Sequence, residues 1–272
     1  MSLLDKIRGK VTGRKPAGVV RSLGMLANGG TAPEIAPSEG EFRVNDGPHY
    51  LDILAEMHRI LKPDWYLEVG TREGRSLALA LGNYVAIDPE FRPQSPPLLP
   101  GKRAHFLSMT SDEAFASGFL EREGIHPDFG FLDGMHLSDF LMRDFINFER
   151  AAKPGARVAL HDCLPFGHAM ETRDDAVIAT GKPWTGDVWK VAWWLIQHRP
   201  DLRVRMLDAW RSGLVIVEGL DPENTVLPEL YDRFIAEMRD VRLKDFGTER
   251  YYAAFTVESG SRYIDTLRKT TA

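Results

Sequence analysis

The sequence predicts an α/β protein with a mostly parallel sheet and helices on both faces. First, short apolar runs alternate with helically spaced apolar patterns from about His49 to Val217, the signature of strand–helix–strand units. Second, Tyr66-Leu67-Glu68-Val69-Gly70-Thr71-Arg72-Glu73-Gly74-Arg75-Ser76 reads as a strand passing through two glycines into a helix. In doubly wound sheets that turn holds the ligand. Third, 43% hydrophobic and 27% charged residues describe a soluble chain able to bury a core, far from the composition of disorder.

Residues 1–47 mix Gly, Pro, Ser and charge without a period and read as an N-terminal extension or lid. From His49, apolar Leu51, Ile53, Leu54, Met57, Ile60 and Leu61 recur at helical spacing until Lys62-Pro63 closes the segment. Trp65–Val69 reads as the first strand, Arg75–Leu81 as a helix and Tyr84–Ile87 as the second strand. After a Pro-rich loop from Pro93 to Pro100 comes the strand Ala104–Leu107, then a helix from Asp112 to about Glu123 and the strand Phe129–Leu132. A long helix from Leu137 to Ala152 leads through Lys153-Pro154-Gly155 to the strand Arg157–Leu160. The helix Val188–His198 and the strands Arg203–Leu207 and Gly213–Val217 complete a sheet domain over residues 48–218. Residues 219–272 read as a mostly helical extension, for example Leu227–Met238, packing on the core or on a second copy in a homo-oligomer.

Lys and Arg number 34 against 39 Asp and Glu, a formal charge of −5, which excludes a broad polyanion-binding surface. The basic cluster Lys6, Arg8, Lys10, Arg14 and Lys15 is the kind of terminal charge run that is usually solvated. A single cysteine, Cys163, permits no internal disulfide and no cysteine-based zinc cage, so a reducing cytoplasm is the expected compartment. No apolar run approaches a bilayer span, and no uninterrupted apolar segment follows the basic cluster to make a secretion signal.

Glycine at 70 and 74 lets the backbone approach a ligand closely, but the spacing departs from Gly-x-Gly-x-x-Gly, with Arg72 at the middle position and Glu68 inside the turn. A carboxylate there opposes a pyrophosphate and favours a ligand with an amino-acid-like tail. Asp88, ending the second strand twenty residues after Glu68, is placed to accept both hydroxyls of a ribose. These residues, with Phe131-Leu132-Asp133-Gly134-Met135-His136 and Lys153-Pro154-Gly155 before Val158-Ala159-Leu160-His161-Asp162, resemble class I S-adenosylmethionine-dependent methyltransferases. Within that family the chain looks most like the small-molecule O-methyltransferases with an Asp-Gly-x-His motif, as in macrolide-sugar and catechol-type enzymes. The resemblance implies a Rossmann-like, seven-stranded, mostly parallel sheet. It implies that Glu68, Gly70, Thr71, Gly74 and Ser76 line the methionine part of S-adenosylmethionine, that Asp88 holds its ribose, and that Met109, Thr110 and Ser111 border its adenine.

Asp133 and His136 follow one strand, and His161 and Asp162 end its neighbour, so three oxygen or nitrogen ligands can converge on a divalent metal. The resemblance places Asp133, His161 and Asp162 as ligands, magnesium foremost, with His161 standing where the catechol-type pattern carries a carboxylate. It places His136 where relatives carry the base, and imidazole can take a hydroxyl proton at neutral pH. The implied reaction is methyl transfer to a hydroxyl of a small molecule, a sugar, phenol or natural product, with Asp133 and His136 as the catalytic pair. The long connection Leu164–Asp187 reads as a lid whose His168, Glu171, Arg173 and Trp184 are candidates to touch the acceptor. The alternatives are a non-catalytic S-adenosylmethionine-binding protein and a nicotinamide-dependent oxidoreductase, the latter opposed by Glu68 and the missing middle glycine. Nucleic-acid methylation is opposed by the negative charge and by the lack of an Asn-Pro-Pro-Tyr-type motif.

Overall fold

The computed structural model describes residues 42, 45–92 and 99–271; the expectations for residues 1–41 and 43–44 and for 93–98 of the Pro-rich loop lie outside the described residues. The chain runs α1 (Tyr50–Leu61), β1 (Trp65–Val69), β2 (Asn83–Ile87), β3 (Ala104–Leu107), α2 (Ser111–Ala116), α3 (Phe119–Arg122), β4 (Phe129–Leu132), α4 (Ser138–Ala151) and β5 (Arg157–His161). It continues with α5 (Trp189–His198), β6 (Arg203–Leu207), β7 (Leu214–Glu218), α6 (Val226–Met238), α7 (Leu243–Phe246), α8 (Thr248–Ala253), β8 (Val257–Glu258) and α9 (Gly260–Thr271). Helix α1 starts where the His49 ring nitrogen Nδ1 accepts from the Leu51 amide at 3.2 Å, and stops at Lys62, whose left-handed backbone precedes Pro63.

The fold is α/β on one mostly parallel sheet of order β3-β2-β1-β4-β5-β7-β6-β8. Strands β3, β2, β1, β4 and β5 run parallel; β7 enters antiparallel between β5 and β6, and β8 pairs parallel with β6. The sheet thus has eight strands where seven were expected, because Val257 and Glu258 of the C-terminal segment extend it beyond Met206 and Leu207. A two-residue strand has no alternating pattern to read, and only pairing across the chain reveals it.

Two further expectations need correction. The segment expected as a helix over Arg75–Leu81 forms a single 3-10 turn, Leu77–Leu79, since only residues 70–82 connect β1 to β2, close to the minimum for a parallel crossover. The helix expected from Asp112 to Glu123 is broken into α2 and α3 at Gly118, whose φ of 66° belongs to the left-handed region.

Alternation along the strands divides the core between the two faces. On one, α1 and α9 cover Tyr66, Tyr84, Phe129, Phe131, Ala159 and Ile216 with Ile53, Leu54, Met57, Tyr263, Ile264 and Leu267. On the other, α4, α5 and α6 cover Leu67, Val85, Leu132, Val158 and Val217 with Phe145, Phe148, Trp189, Trp194 and Phe234. Burying each such side chain contributes roughly 1.5–3 kcal/mol. The tryptophans of α5 therefore belong mainly to packing, as their helical spacing suggests. Among the described residues no helix is long and apolar enough to cross a membrane.

Candidate functional site

Strand order places a topological switch point between β1 and β4. From β1 the chain moves outward to β2 and β3, from β4 the other way to β5, and the crevice beyond their carboxyl ends is where such sheets take ligands. Four segments meet there: Gly70 after β1, Asp88 after β2, Asp133 after β4, and His161-Asp162 at the end of β5. Gly70 has φ 87°, and a Cβ at that position would lie 2.1 Å from the Asp133 carbonyl oxygen. Glycine is thus required here by the contact between two strand ends.

Glu68 is fully buried in β1, on the face that carries Tyr66, whose hydroxyl donates to Glu68 Oε2 at 2.6 Å; Oε1 has no hydrogen-bond partner in this geometry among the described residues. Burial pushes its carboxyl up to about 7 against the pull of the Tyr66, Thr71 and Ser76 hydroxyls. Thr71 and Ser76 are buried in the following loop, which the Gly74 amide tightens by donating to the Thr71 carbonyl at 2.7 Å. Asp88 accepts the Arg72 amide on Oδ2 at 2.8 Å and the Glu90 amide on Oδ1 at 2.7 Å. Its carboxylate is locked in place between the ends of β1 and β2, with lone pairs left on both oxygens. Met109 packs against the core, while Thr110 is tied into a capping box with Glu113 at the start of α2, before Ser111.

Asp133, His136, His161 and Asp162 form one cluster. His136 Nε2 lies 3.3 Å from Asp133 Oδ1, and its Nδ1 lies 3.3 Å from Asp162 Oδ2. His161 Nδ1 meets the same two carboxylates at 3.2 and 3.4 Å, and its Nε2 is buried without a hydrogen-bond partner among the described residues. Asp162 takes φ 61°, an uncommon conformation for a residue with a Cβ, and this turns the chain away just after β5. Burial alone would lower the His136 pKa, but Asp162 and Asp133 raise it to about 9. Against the opposing effect of burial, the two imidazoles hold the Asp133 carboxyl well below the usual range. Potential ligand atoms of Asp133, His136 and Asp162 lie within 4.8 Å of one another. Two carboxylates with imidazole nitrogens fit a divalent cation: oxygen donors suit magnesium or manganese, and imidazole also admits zinc or iron. That group holds His136 and not the expected His161, whose Nδ1 contacts the same two carboxylates.

The folded protein holds protons on these imidazoles above their ordinary pKa of 6.5. Their contribution to stability is complete below about pH 6.5 and is lost as pH rises through about 9 for His136. The raised carboxyls of Glu68 and Asp144, both at about 7, have the same sign, with their loss ending near pH 7. In chelated protein the urea midpoint is therefore expected to fall between pH 7 and 9, and His136→Gln to flatten that slope. An unchanged slope in the variant would refute the assignment.

The connection between β5 and α5 closes over His136. The Trp184 ring stacks on the imidazole, centroids 4.9 Å apart at 24°, and its carbonyl oxygen lies 2.9 Å from His136 Nδ1. A carbonyl only accepts, so Nδ1 carries the hydrogen of that bond and Nε2 is the nitrogen that can gain or lose a proton. A Cβ on Gly186 would lie 1.6 Å from the His136 carbonyl oxygen, and the Asp187 amide donates to that oxygen at 3.2 Å. Asp187 accepts the Ser138 amide at 2.7 Å, Arg173 at 2.8 Å and Lys190 Nζ at 2.7 Å; Arg173 also reaches Asp139 at 2.6 Å.

Of the lid residues expected at an acceptor, Glu171 is instead buried among Trp189, Arg242 and the Leu243 amide, and Arg173 ties the connection to α4. The His168 ring meets Phe42 edge-on at 4.8 Å. Sequence reading missed Tyr50, whose ring lies 4.1 Å from the His161 ring; burial, then Asp133 and Asp162, push its phenol up. It also missed Asp187 and Lys190. Only the opening aromatic of α1 and the Gly-Asp pair before α5 hint at them.

No protein-family model matches the chain, and no curated protein does. Among solved structures, an O-methyltransferase from Bacillus cereus in complex with SAH is 14% identical, with 62% of this chain and 80% of that one covered at a TM-score of 0.46. The O-methyltransferase TomG from Streptomyces achromogenes, in complex with SAM, is 16% identical, with 63% and 80% covered and a TM-score of 0.44. MycE methyltransferase from the mycinamycin biosynthetic pathway, in complex with Mg, SAH and mycinamycin VI, is 15% identical, with 64% and 49% covered and a TM-score of 0.40.

Proposed function

We propose that the protein is an S-adenosylmethionine-dependent methyltransferase that methylates a hydroxyl of a small molecule, a sugar, phenol or natural product. The observation that carries this reading is the meeting, at one switch point, of a glycine-bearing loop over buried Glu68, the amide-locked Asp88 carboxylate, and a carboxylate–imidazole cluster. The first two fit an amino-acid tail and a ribose, leaving the third to work on the acceptor. A nicotinamide dinucleotide fits less well. Its pyrophosphate wants a helix N-terminus after the first strand, and here there is one 3-10 turn and a buried carboxyl.

In this reading Glu68 and the 70–76 loop hold the methionine part, Asp88 the ribose, and Met109, Thr110 and Ser111 border the base. The acceptor hydroxyl lies beside His136. As its oxygen attacks the methyl carbon, the C–S bond breaks, the O–C bond forms, the proton passes to His136 Nε2, and S-adenosylhomocysteine leaves. A divalent cation bound by Asp133 and Asp162, with His161 as a further ligand, would lower the hydroxyl's pKa and orient it. Engaging those carboxylates also removes the pull that keeps His136 protonated at neutral pH.

Calorimetric titration tests the reading before any acceptor is known. Micromolar binding of S-adenosylhomocysteine is expected, weakened at least about tenfold in Asp88→Ala by loss of the ribose hydrogen bonds. A separate magnesium heat after chelation is expected to vanish in Asp133→Ala. Binding of a nicotinamide dinucleotide in place of S-adenosylhomocysteine would overturn the reading.

A further inference from the structure

Two arginines stand at the edge of the crevice without counterions. Arg75 lies in the loop after β1. Arg211 lies in the turn 208–213, which reaches the same edge because β7 runs antiparallel to both β5 and β6 and its first residue, Leu214, pairs with His161 at the end of β5. The start of α1 fixes this turn: the Trp210 amide donates to the Pro48 carbonyl at 3.0 Å, and the Tyr50 amide donates to the Trp210 carbonyl at 2.9 Å. A run of rings then leads from Arg211 to the carboxylate–imidazole cluster. The guanidinium carbon lies 4.5 Å from the Trp210 ring centroid, Trp210 is 5.2 Å from His49, His49 is 4.8 Å from Tyr50, and Tyr50 is 4.1 Å from His161.

Neither guanidinium has a hydrogen bond or an ion pair among the described residues. The carboxylate nearest to Arg75 in sequence, Glu73, is taken by Arg72 at 3.3 Å. An exposed arginine is ordinarily just hydrated, and Arg75 alone would mean little. Arg211 differs, because its Nε is buried and unpaired, a state that costs about 1–3 kcal/mol and calls for a partner. The two cations also act on one spot. Burial lowers the His49 pKa, Asp52 opposes it, and the charges of His161, Arg211 and Arg75 lower it further. Arg75 pulls as well against the burial, Asp133 and Asp162 that raise the Tyr50 phenol. An anion at this place would relieve the crowding of like charge, and guanidinium forks match the paired oxygens of a carboxylate or phosphate. We propose that Arg211 and Arg75 form an oxyanion subsite for the acceptor, so that the substrate is a hydroxyl compound carrying a carboxylate or a phosphate. This inference rests on the methyltransferase reading above and adds to it the charge of the molecule methylated.

The test takes the full chain, chelated and saturated with S-adenosylhomocysteine, and titrates inorganic phosphate, benzoate and neutral benzamide by calorimetry. At least one of the two anions is expected to bind at roughly millimolar or tighter, and at least about tenfold more tightly than benzamide. Phosphate alone would identify a phosphorylated acceptor, and benzoate alone a carboxylic acid. Arg211→Gln and Arg75→Gln are each expected to weaken that anion at least about tenfold, and Arg211→Lys to keep part of the affinity, with S-adenosylhomocysteine binding within about twofold of the unmodified protein in both Arg211 variants. No anion binding, binding no tighter than that of benzamide, or binding that neither Gln variant weakens would overturn the inference and leave the methyltransferase reading standing. Variants that lose S-adenosylhomocysteine instead would also overturn it, since the arginines would then serve the cofactor's own carboxylate. Failure of the unmodified protein to bind S-adenosylhomocysteine would overturn both.

Discussion

His136→Ala is expected to lower methyl transfer by about 10²–10⁴-fold, the range removed with a positioned proton acceptor. S-adenosylhomocysteine affinity should change little, because the imidazole lies on the β4–β5 side of the crevice, away from Glu68 and Asp88. The readout is single-turnover transfer from labelled S-adenosylmethionine to a panel of hydroxyl acceptors. In the unmodified protein the rate should rise with pH as His136 loses its proton, and added magnesium should move that rise toward neutrality. His136→Gln, which keeps polarity without basicity, separates proton acceptance from shape: a Gln variant as active as the unmodified protein would exclude His136 as the base. Retained activity in the absence of Asp133 would likewise remove the carboxylate cluster from the mechanism.

Asp187→Ala is expected to destabilise the fold by about 3–5 kcal/mol, among the largest effects of a single change in this chain. Asp187 and Lys190 are both 1% exposed, and without the carboxylate the Lys190 ammonium keeps, among the described residues, only the Arg239 carbonyl at 2.9 Å. The same change removes the acceptor for the Ser138 amide at the start of α4 and one of the two carboxylates that hold Arg173. Urea unfolding at pH 7 measures the loss. The pair Asp187→Asn with Lys190→Met should recover a substantial part of it, since the buried charge is then gone from both sides. A loss under about 1 kcal/mol in Asp187→Ala would show that water reaches Lys190 and that the connection is held elsewhere. Because Asp187 adjoins Gly186, which is pressed on the His136 backbone, folding stability and proton-transfer rate should decline together across variants of this segment.

Much of the sheet was legible in the sequence because buried parallel strands are short continuous apolar runs, and Leu67, Val85, Phe131 and Val158 stand in such runs. The crevice residues were legible for the same reason: once strand ends are located, Gly70, Asp88, Asp133 and Asp162 must lie at one edge. Helix lengths between β1 and β4 were not, because apolar spacing over Arg75–Leu81 fits a helix but does not report how few residues remain before β2. Nor does local pattern announce contacts such as Trp184 on His136, 48 residues apart, or Arg242 on Glu171, 71 apart. Arg211 illustrates the limit. Its place between two strands was plain, but whether its guanidinium found a partner depended on where Pro48, His49 and Tyr50 came to rest.

The packing of α9 on α1 bears on how the chain is made. Gly260 touches Ile53 so closely that a Cβ there would lie 2.6 Å from Ile53 Cδ1, and Arg268 reaches Glu56 across 212 positions of sequence. At roughly 5–20 residues per second of synthesis, that separation is on the order of ten to forty seconds on the ribosome. During this interval α1 can lie on β1 and β4, while the flank awaiting Tyr263, Ile264 and Leu267 stays open to water and to chaperones. Completion of this half of the core is thus a late, long-range event, and the nascent chain carries a greasy cleft that the finished protein lacks.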